Sequence, residues 1–342
     1  SQMLFDGFRT RSQVERTEAQ AAAAAQGLAD TAETNAFRAA EAFLEVLRRR
    51  EVVEITELNV ETHRRILEKI RARSGGGAGN KADVQQTLGR LALAESRLAR
   101  AKRQERDAEA GFERTVGVPP GPLERPTPPR EGLPEGRAQA LQVADQAHPG
   151  IAAALADLEA AQARRDGARA AFYPRVDLEL AVNHNEDLDG VEGENRDASL
   201  MAMARYNLYR GGADTARSRQ AAHEVSRAMN QVATERRAVA ERLHLAWNSW
   251  ETARERLPFL RSHVEASEQV LQAYEQQFNI GERTLLDVLD SENELLAARV
   301  SLISGTYTEM LGVYRVLQAT GGLVSGLGLE RPAESLVRVA NE

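Results

Sequence analysis

The sequence predicts a mainly α-helical protein in which long coiled-coil helical hairpins form two tandem repeats, with a short β-hairpin between them. Three observations lead to this fold class. The chain aligns with itself without a gap, its apolar residues recur at heptad spacing, and one segment alternates with a period of two. Aromatic residues make up only 5% of the chain, so any core is built mainly from aliphatic side chains at helical spacing.

The internal repeat emerges when residues 4–7 (LFDG) are placed over residues 208–211 (LYRG). The same offset then matches apolar, acidic and glycine positions along the whole unit. The matched pairs are Phe43 with Trp247, Val60 with Val264, Gly77 with Gly281, Asp83 with Asp287, Leu91 with Leu295, Leu98 with Leu302 and Gly117 with Gly321. Two copies of one structural unit are therefore present.

Proline marks the end of the first repeat, because none occurs in residues 1–118 and seven fall within 119–134. We therefore expect a first repeat, a proline-rich linker, two short helices, a β-hairpin, a second repeat and a C-terminal extension. Their predicted bounds are 1–117, 118–135, 136–174, 175–209, 210–321 and 322–342. The second short helix opens with Pro149 in its first turn, where a missing N–H costs nothing.

Each repeat begins with an unusually long helix, placed at about residues 12–73 in the first copy. In the second copy, apolar or small residues form a heptad seam. Its members are Val225, Met229, Val232, Val239, Leu243, Ala246, Trp250, Ala253 and Leu257. The seam of the first copy is rich in alanine and comprises Ala21, Ala25, Leu28, Ala39, Ala42 and Val46. Pro258 is expected to kink the second long helix, because it removes one backbone hydrogen bond.

The only convincing strands lie between the repeats, where apolar and polar residues alternate over 176–182 and again over 200–208. A length of about ten residues suits a membrane-spanning β-strand. The candidate lipid-facing residues are Val176, Leu178, Leu180, Leu200 and Leu208. A competing interpretation is a two-sided hairpin that caps a soluble bundle, but an isolated hairpin at the end of a long helical hairpin has little to pack on.

Composition and motifs exclude several classes of protein. The net charge of −7 argues against a dedicated nucleic-acid-binding protein, and the absence of cysteine excludes a disulfide scaffold and a thiol nucleophile. No run of about 18 apolar residues is present, which excludes a helical inner-membrane protein. The histidines are scattered, Glu241 and His244 form a single Glu-x-x-His, and no phosphate-binding or hydrolase motif is found. We expect no enzymatic activity, no metal and no cofactor.

Four stretches resemble the TolC-like outer-membrane channel proteins of the outer membrane efflux protein family, particularly the type I secretion branch. They are GERTLLDVLDSENEL at 281–295, YRVLQATG at 314–321, GAGNKADVQ at 77–85 and LYRGG at 208–212. Together with the repeat they cover essentially the whole chain. The motif at 281–295 is fairly specific, whereas the heptads alone are not.

The resemblance implies a homotrimer in the outer membrane, in which each chain gives four strands to a single twelve-stranded β-barrel and two helical hairpins to a periplasmic tunnel. Copy one starts here at its second strand, so we expect an N-terminal truncation, with a signal peptide and a further helix and strand upstream. The implied function is a passive exit duct of a tripartite type I secretion or efflux system. Its implied partners are a periplasmic adaptor, an inner-membrane transporter, membrane lipid and exported protein or small-molecule cargo.

The resemblance also implies roles for residues at the helical tips, which close the periplasmic entrance in this family. Asp287 and Asp290 match two aspartates of the closed entrance, where a trimer makes two cation-attracting rings of carboxylates. Arg283 matches the arginine that links neighbouring tips, and Asp83 matches its acidic partner. Phe278 stands where the family usually has a tyrosine, so this latch lacks one hydroxyl group.

Two further points concern the tips. Family members dock adaptor proteins there, so Gly77, Gly79 and Gly281 are expected contacts. From the residues alone, Asp287 and Asp290 also fit an ordinary solvent-exposed helix face, since residues three apart lie on the same side of a helix.

A function from a different class stays open from the sequence, namely a soluble coiled-coil scaffold or adaptor whose long helices bind partner helices. The heptads favour it. The segment 176–208 discriminates between the two functions, because a scaffold tolerates charges at Leu178, Leu180 and Leu200, whereas a lipid-facing hairpin does not.

Overall fold

The computed structural model describes residues 1–75, 80–186, 190 and 192–336, and most of them are helical. In chain order the elements are β1 (Gln2–Phe5), α1 (Arg9–Gly75), α2 (Lys81–Val116), α3 (Arg137–Ala147), α4 (Pro149–Arg169), β2 (Arg175–Glu186), β3 (Glu194–Arg205), α5 (Ala213–Asn279), α6 (Leu285–Thr320) and α7 (Leu323–Gly326). Short 3-10 turns cover Arg130–Gly132, Ala170–Phe172 and Ala333–Leu336. The predicted fold class, mainly helical with long helical hairpins and one β-hairpin, is confirmed.

The two repeats have helices of the same lengths. Helices α1 and α5 each contain 67 residues, and α2 and α6 each contain 36. Both short partners end at a glycine in the left-handed conformation, Gly117 after α2 and Gly321 after α6, where a side chain would be strained. Pro258 lies inside α5 without ending it. Within the described ranges, no helix combines the length and the hydropathy needed to cross a membrane.

The turn that leads into each long helix needs two successive residues with positive φ. Gly211 and Gly212 supply them before α5, with φ of 59° and 80°. Before α1 the same positions are Gly7 at 71° and Phe8 at 67°, and Phe8 is the one non-glycine residue with positive φ in the part of the chain that the structure describes. A phenylalanine in this region is strained, so the turn geometry is kept in the first repeat at some energetic cost.

The sheet has three antiparallel strands in the order β1-β2-β3. Strands β2 and β3 pair along their whole length, with Leu180 opposite Leu200. The prediction that the second strand runs to Leu208 is wrong, because β3 ends at Arg205. The next position in this register lies opposite Pro174, which has no N–H to donate to the ladder.

The chain divides into two compact units, which differ in the size of their core residues. The first comprises Ser1–Thr31, Asp145–Ala240 and the described residues from Arg331. Its buried residues are mostly small, among them Ala19, Ala25, Ala29, Ile151, Ala154, Ala160, Ala163, Ala221 and Val225. The second comprises Ala32–Ala144 and Glu241–Glu330, and it buries larger side chains, among them Leu243, Leu289, Val313, Val316, Leu317 and Leu323.

The heptad seams are confirmed in part. In the second copy every predicted seam residue is buried except Met229, which is exposed. In the first copy Ala25 and Val46 are buried, whereas Ala21 and Leu28 are exposed. The buried face of α1 also contains polar residues, so a seam drawn from apolar residue types alone missed part of it. Those residues are Ser12, Glu33, Thr56, Asn59 and His63.

The proline-rich segment after α2 has little regular structure, but it is bound to the second unit by arginines. Arg130 donates to the buried carboxylate of Glu309 at 2.7 Å, and Trp250 donates to the same group through Nε1 at 3.1 Å. Arg125 donates to Glu51 at 2.5 Å. These charge-assisted contacts hold the segment against α1 and α6.

Candidate functional site

The tip of the second hairpin is built on an apolar cluster, which we call the tip cluster. Its buried members come from α1 and α6 and are Ile66, Ile70, Leu285, Val288 and Leu289. Partly buried residues surround them, namely Val84, Leu271, Tyr274 and Phe278. The cluster fixes the start of α6, which carries the predicted entrance aspartates.

The turn between α5 and α6 is fixed by its own backbone. Gly281 has φ of 85°, the N–H of Glu282 donates to the Gln277 carbonyl at 2.9 Å, and the N–H of Gly281 donates to the Phe278 carbonyl at 3.2 Å. This pair of hydrogen bonds is the Schellman arrangement that ends a helix. Gly281, which the sequence placed at an adaptor contact, therefore also has a structural role.

Asp287 belongs to the N-terminal cap of α6. Its Oδ2 atom accepts hydrogen bonds from Thr284 Oγ1 at 2.8 Å and from Thr284 N at 3.2 Å, while the Asp287 N–H donates back to the threonine hydroxyl. These hydrogen bonds, with a smaller contribution from the Arg283 charge, hold the pKa of the Asp287 carboxyl below its ordinary value. Asp287 therefore keeps its negative charge at the tip.

Asp290 lies one turn further along α6 and pairs with a residue that the sequence analysis did not identify. Arg90 on α2 donates to Asp290 Oδ1 at 2.7 Å, and the aspartate side chain remains 56% exposed. No spacing rule links two residues so far apart in the chain. The opposite charges of α2 and α6 were the only signal in the sequence.

Asp287 and Asp290 line one surface depression of about 340 Å³, as their spacing on the helix predicts. Glu294 lines it as well, one further turn along, and its Oε1 atom lies 3.1 Å from Nε2 of His263. Three carboxylates therefore face a single depression between α5 and α6. The sequence analysis had missed the third.

Arg283, the predicted latch residue, contacts its own hairpin in this chain. Its Nε donates to Gln277 Oε1 at 2.8 Å, its guanidinium lies 4.1 Å from the centre of the Tyr274 ring, and Nη1 is 4.0 Å from Asp287 Oδ2. Within the described residues it forms no ion pair with Asp83, which lies in the first turn of α2. The predicted pair is therefore not formed within one chain.

The remaining predicted tip residues are placed as follows. Phe278 packs on the tip cluster, and the Arg73 guanidinium lies 4.7 Å from its ring centre, a cation–π contact at the end of α1. Gly77 and Gly79 lie outside the described residues.

The β-hairpin has one apolar face, as its cross-strand register shows. Val176, Leu178, Leu180 and Val182 lie opposite Ala204, Ala202, Leu200 and Ala198. Leu180 and Leu200 are 66% and 68% exposed, so large aliphatic side chains point away from the chain. Leu208, outside the strand, is also exposed.

Beyond Val182 the same face becomes charged. His184 lies opposite Arg196, and Glu186 lies opposite Glu194. One ligand atom from each of His184, Glu186 and Glu194 falls within 4.8 Å of the others, but Arg196 donates to His184 Nδ1 at 3.2 Å and to Glu194 at 2.8 Å. The guanidinium thus already supplies a cation to this cluster.

Comparison with known proteins finds one family model and several relatives that match this chain. The family model described as outer membrane efflux protein matches residues 1–118 and 140–322. The outer membrane efflux protein BepC of Brucella suis is 28% identical, over 96% of this chain and 73% of its own length. Protein CyaE of Bordetella pertussis is 30% identical, over 66% of this chain and 48% of its own length.

Solved structures show the same fold. The open state of the Neisseria gonorrhoeae MtrE outer membrane channel superposes with a TM-score of 0.80 at 19% identity, covering 94% of this chain and 73% of that one. At this identity the likeness concerns the fold alone.

Proposed function

The chain belongs to the outer membrane efflux protein family, a family of non-enzymatic outer-membrane channels, and we propose that it forms a homotrimeric, passive exit duct of a tripartite type I secretion or efflux system. The observation that carries the proposal is a β-hairpin with one exposed apolar face, connected to helices whose tip presents a cluster of carboxylates. A duct needs both: a surface that lipid covers and a polar entrance for cargo.

The apolar face of β2 and β3 supports a membrane position. Four aliphatic residues on β2 face three alanines and a leucine on β3, and the opposite face carries Asp177, Glu179 and Asn183. Exposed leucines such as Leu180 and Leu200 are costly in water but stable against lipid. The charged residues from His184 onward then mark where the apolar face ends.

A pair of double variants tests this position. Leu180→Arg with Leu200→Arg places two cations on the apolar face, and Ala181→Arg with Ser199→Arg places two on the other face, at the adjacent cross-strand pair. We expect only the first variant to lose outer-membrane assembly, since an arginine near the bilayer midplane costs about 2–4 kcal/mol. Heat-stable trimers are counted by gel electrophoresis of purified outer membranes. Normal assembly of the leucine variant contradicts the proposal and favours the soluble coiled-coil scaffold.

The scaffold remains the second candidate because of one observation, the heptad seam of α5. Such a seam is typical of helices that bind partner helices. The helical wall of a duct contains the same kind of seam, so the seam does not discriminate between the two functions. The exposed apolar face of the hairpin favours the duct, because a soluble scaffold has no role for it.

The acidic depression supports a cation-attracting entrance. In a trimer, Asp287, Asp290 and Glu294 each occur three times around one axis, and rings of carboxylates attract cations and repel anions. The low pKa of Asp287 keeps the first ring charged throughout the physiological pH range.

The latch is proposed between neighbouring chains, with Arg283 of one tip paired to Asp83 of the next. Such a pair is directional but only modestly strong in solvent, which suits a reversible contact. We expect Arg283→Ala or Asp83→Ala to raise the conductance of the closed channel in planar bilayers. Unchanged conductance in both variants removes this latch. Phe278, which binds Arg73 in this chain, gives the latch no hydroxyl group.

We also propose the partners of the channel. A periplasmic adaptor is proposed to dock at the tips around Gly77, Gly79 and Gly281, and an inner-membrane transporter supplies the energy. The cargo is an exported protein or small molecule, which the transporter selects. We propose the same division of the chain into segments as the sequence predicts, from the first repeat at 1–117 to the C-terminal extension at 322–342.

A further inference from the structure

A cavity lined by arginines lies in the unit that carries the sheet, and the proposed function does not use it. The cavity has a volume of about 330 Å³ and is bounded by α1, α4 and α5. Four arginines line it, and Glu224 is the one acid among the described lining residues. The arginines are Arg9, Arg16, Arg164 and Arg217.

The acids nearby compensate only part of this charge. Arg164 pairs with Glu224 at 2.9 Å, and Arg217 lies 3.4 Å from Asp214. Arg16 has a buried Nε atom that finds no acceptor within the described residues. Of the four arginines, only Arg164 and Arg217 have an acidic partner at salt-bridge distance within the described residues, so the cavity favours an anionic ligand.

Helix geometry adds to the positive potential of the cavity. Arg9 is the first residue of α1, and the acid that interacts with its charge is Asp6, which accepts hydrogen bonds from Thr10 at the start of the helix. The start of a helix carries the positive end of its dipole and ordinarily attracts acidic side chains, so a cation there is locally unfavourable.

We propose that this cavity, which we call the arginine cavity, binds the phosphate group of an anionic ligand. Guanidinium groups match phosphate oxygens with paired hydrogen bonds, and Ser12, a buried residue of the lining, adds a hydroxyl group. A carboxylate has fewer acceptor oxygens for four arginines than a phosphate has.

The position of the arginine cavity suggests two sources for that phosphate. Arg9 follows the end of β1 at Phe5 by four residues, and Gly167, also in the lining, precedes β2 by eight. The arginine cavity therefore lies beside the base of the sheet. If the hairpin spans the outer membrane as proposed above, phospholipid headgroups on the periplasmic side are near. Free phosphate is the other source, and its binding does not depend on the proposed function.

The test uses the natural full-length protein in detergent and inorganic phosphate as the probe, with binding measured by calorimetry. Arg9→Gln with Arg16→Gln removes two guanidinium groups from the arginine cavity. Arg11→Gln with Arg219→Gln makes the same charge change on α1 and α5 outside it. We expect the first variant to bind phosphate at least about tenfold more weakly, because it loses charge-assisted hydrogen bonds, and the control to bind as the wild type does.

A second arm distinguishes the sources. Phosphatidylglycerol in mixed micelles is titrated against bound phosphate, with phosphatidylcholine as the control lipid. Displacement by phosphatidylglycerol alone assigns a lipid headgroup, and no displacement assigns free phosphate. Arg16→Lys, which keeps the charge but removes Nε, is expected to bind phosphate with intermediate affinity.

Two results overturn the proposal, namely no phosphate binding by the wild type, and equal binding by the cavity variant and its control. If the wild type binds no phosphate and the cavity variant also loses its trimers, the arginines are assigned to contact with a second copy of the chain. Conductance of the same variants is recorded in parallel, so that failure of the channel proposal is seen separately.

Discussion

Helices α2 and α6 occupy equivalent positions in the two repeats and have the same length, but they are buried to very different extents. Four residues of α2 are buried, namely Thr87, Ala94, Ala101 and Phe112. In α6 seventeen are buried, including Leu289, Val313 and Leu317. The same helical frame is thus used once as a surface helix and once as a core helix.

Ion pairs hold α2 in place. They join Arg90 to Asp290, Lys102 to Glu57, Glu95 to Arg64 and Glu109 to Arg50. Each involves at least one side chain that is largely or partly exposed, and such pairs contribute little individually. Apolar burial, in contrast, is a large and non-directional contribution. The two repeats therefore share the same backbone arrangement, although α2 is held mainly by ion pairs and α6 mainly by apolar burial.

The largest expected difference lies at the position occupied by Leu289 in α6 and Gln85 in α2. Leu289 is fully buried in the tip cluster, and Gln85 is exposed. We expect Leu289→Ala to destabilise the protein by about 2–5 kcal/mol, because it leaves a cavity. Gln85→Ala should change stability by less than about 0.5 kcal/mol. Guanidinium unfolding of both variants measures the difference, and equal effects would refute the assignment of α6 to the core.

An intermediate effect is expected at a position that both repeats fill with glutamate. Glu309 is 4% exposed and accepts from Trp250 and Arg130, whereas Glu105 is partly exposed and lies 3.9 Å from Arg50. Glu309→Ala leaves the Trp250 N–H without its acceptor, which costs about 1–3 kcal/mol.

For Glu105→Ala we expect less than about 1 kcal/mol. The thermal unfolding midpoints of the two variants, purified and measured under the same conditions, give the comparison of their stabilities. A larger shift for Glu105→Ala would show that the first repeat carries the structural glutamate.

The smallest expected effect is a pH-dependent change in stability, which compares Asp287 on α6 with a carboxylate on α2. Asp287 has a lowered pKa in the folded protein, so it stabilises the fold at pH values above its ordinary pKa, near 4, and this contribution is lost as pH falls through the lowered value. Asp287→Asn should therefore reduce stability at pH 7 but not below about pH 2.

Glu113→Gln is the control, because Glu113 is exposed on α2 and within the described residues no hydrogen bond ends on its carboxylate. Unfolding midpoints are collected between pH 2 and pH 7. The same pH-dependent loss in Glu113→Gln would show that the capping contact of Asp287 with Thr284 is not its cause.

The sequence predicted the features that follow from local chemistry. The internal repeat predicted the approximate bounds of the helices, and the prolines predicted the linker. The alternation of apolar and polar residues predicted the apolar face of the hairpin with Leu180 and Leu200. The sequence did not predict Arg90 beside Asp290, Asn59 donating to the buried Glu292 at 2.9 Å, or Glu33 within the buried face of α1. These contacts join residues distant in the chain, and long polar side chains reach partners that only the packing of the hairpins selects.

The entrance is the central claim, and single-channel recording in planar bilayers tests it most directly. The full-length protein is compared with Asp287→Asn/Asp290→Asn and with Asp107→Asn/Glu113→Gln, which removes the same charge from α2 away from the tip. Our account predicts small, cation-selective currents that a multivalent cation blocks, with selectivity and block lost in the tip variant and kept in the control. Unchanged selectivity and block in the tip variant would contradict it.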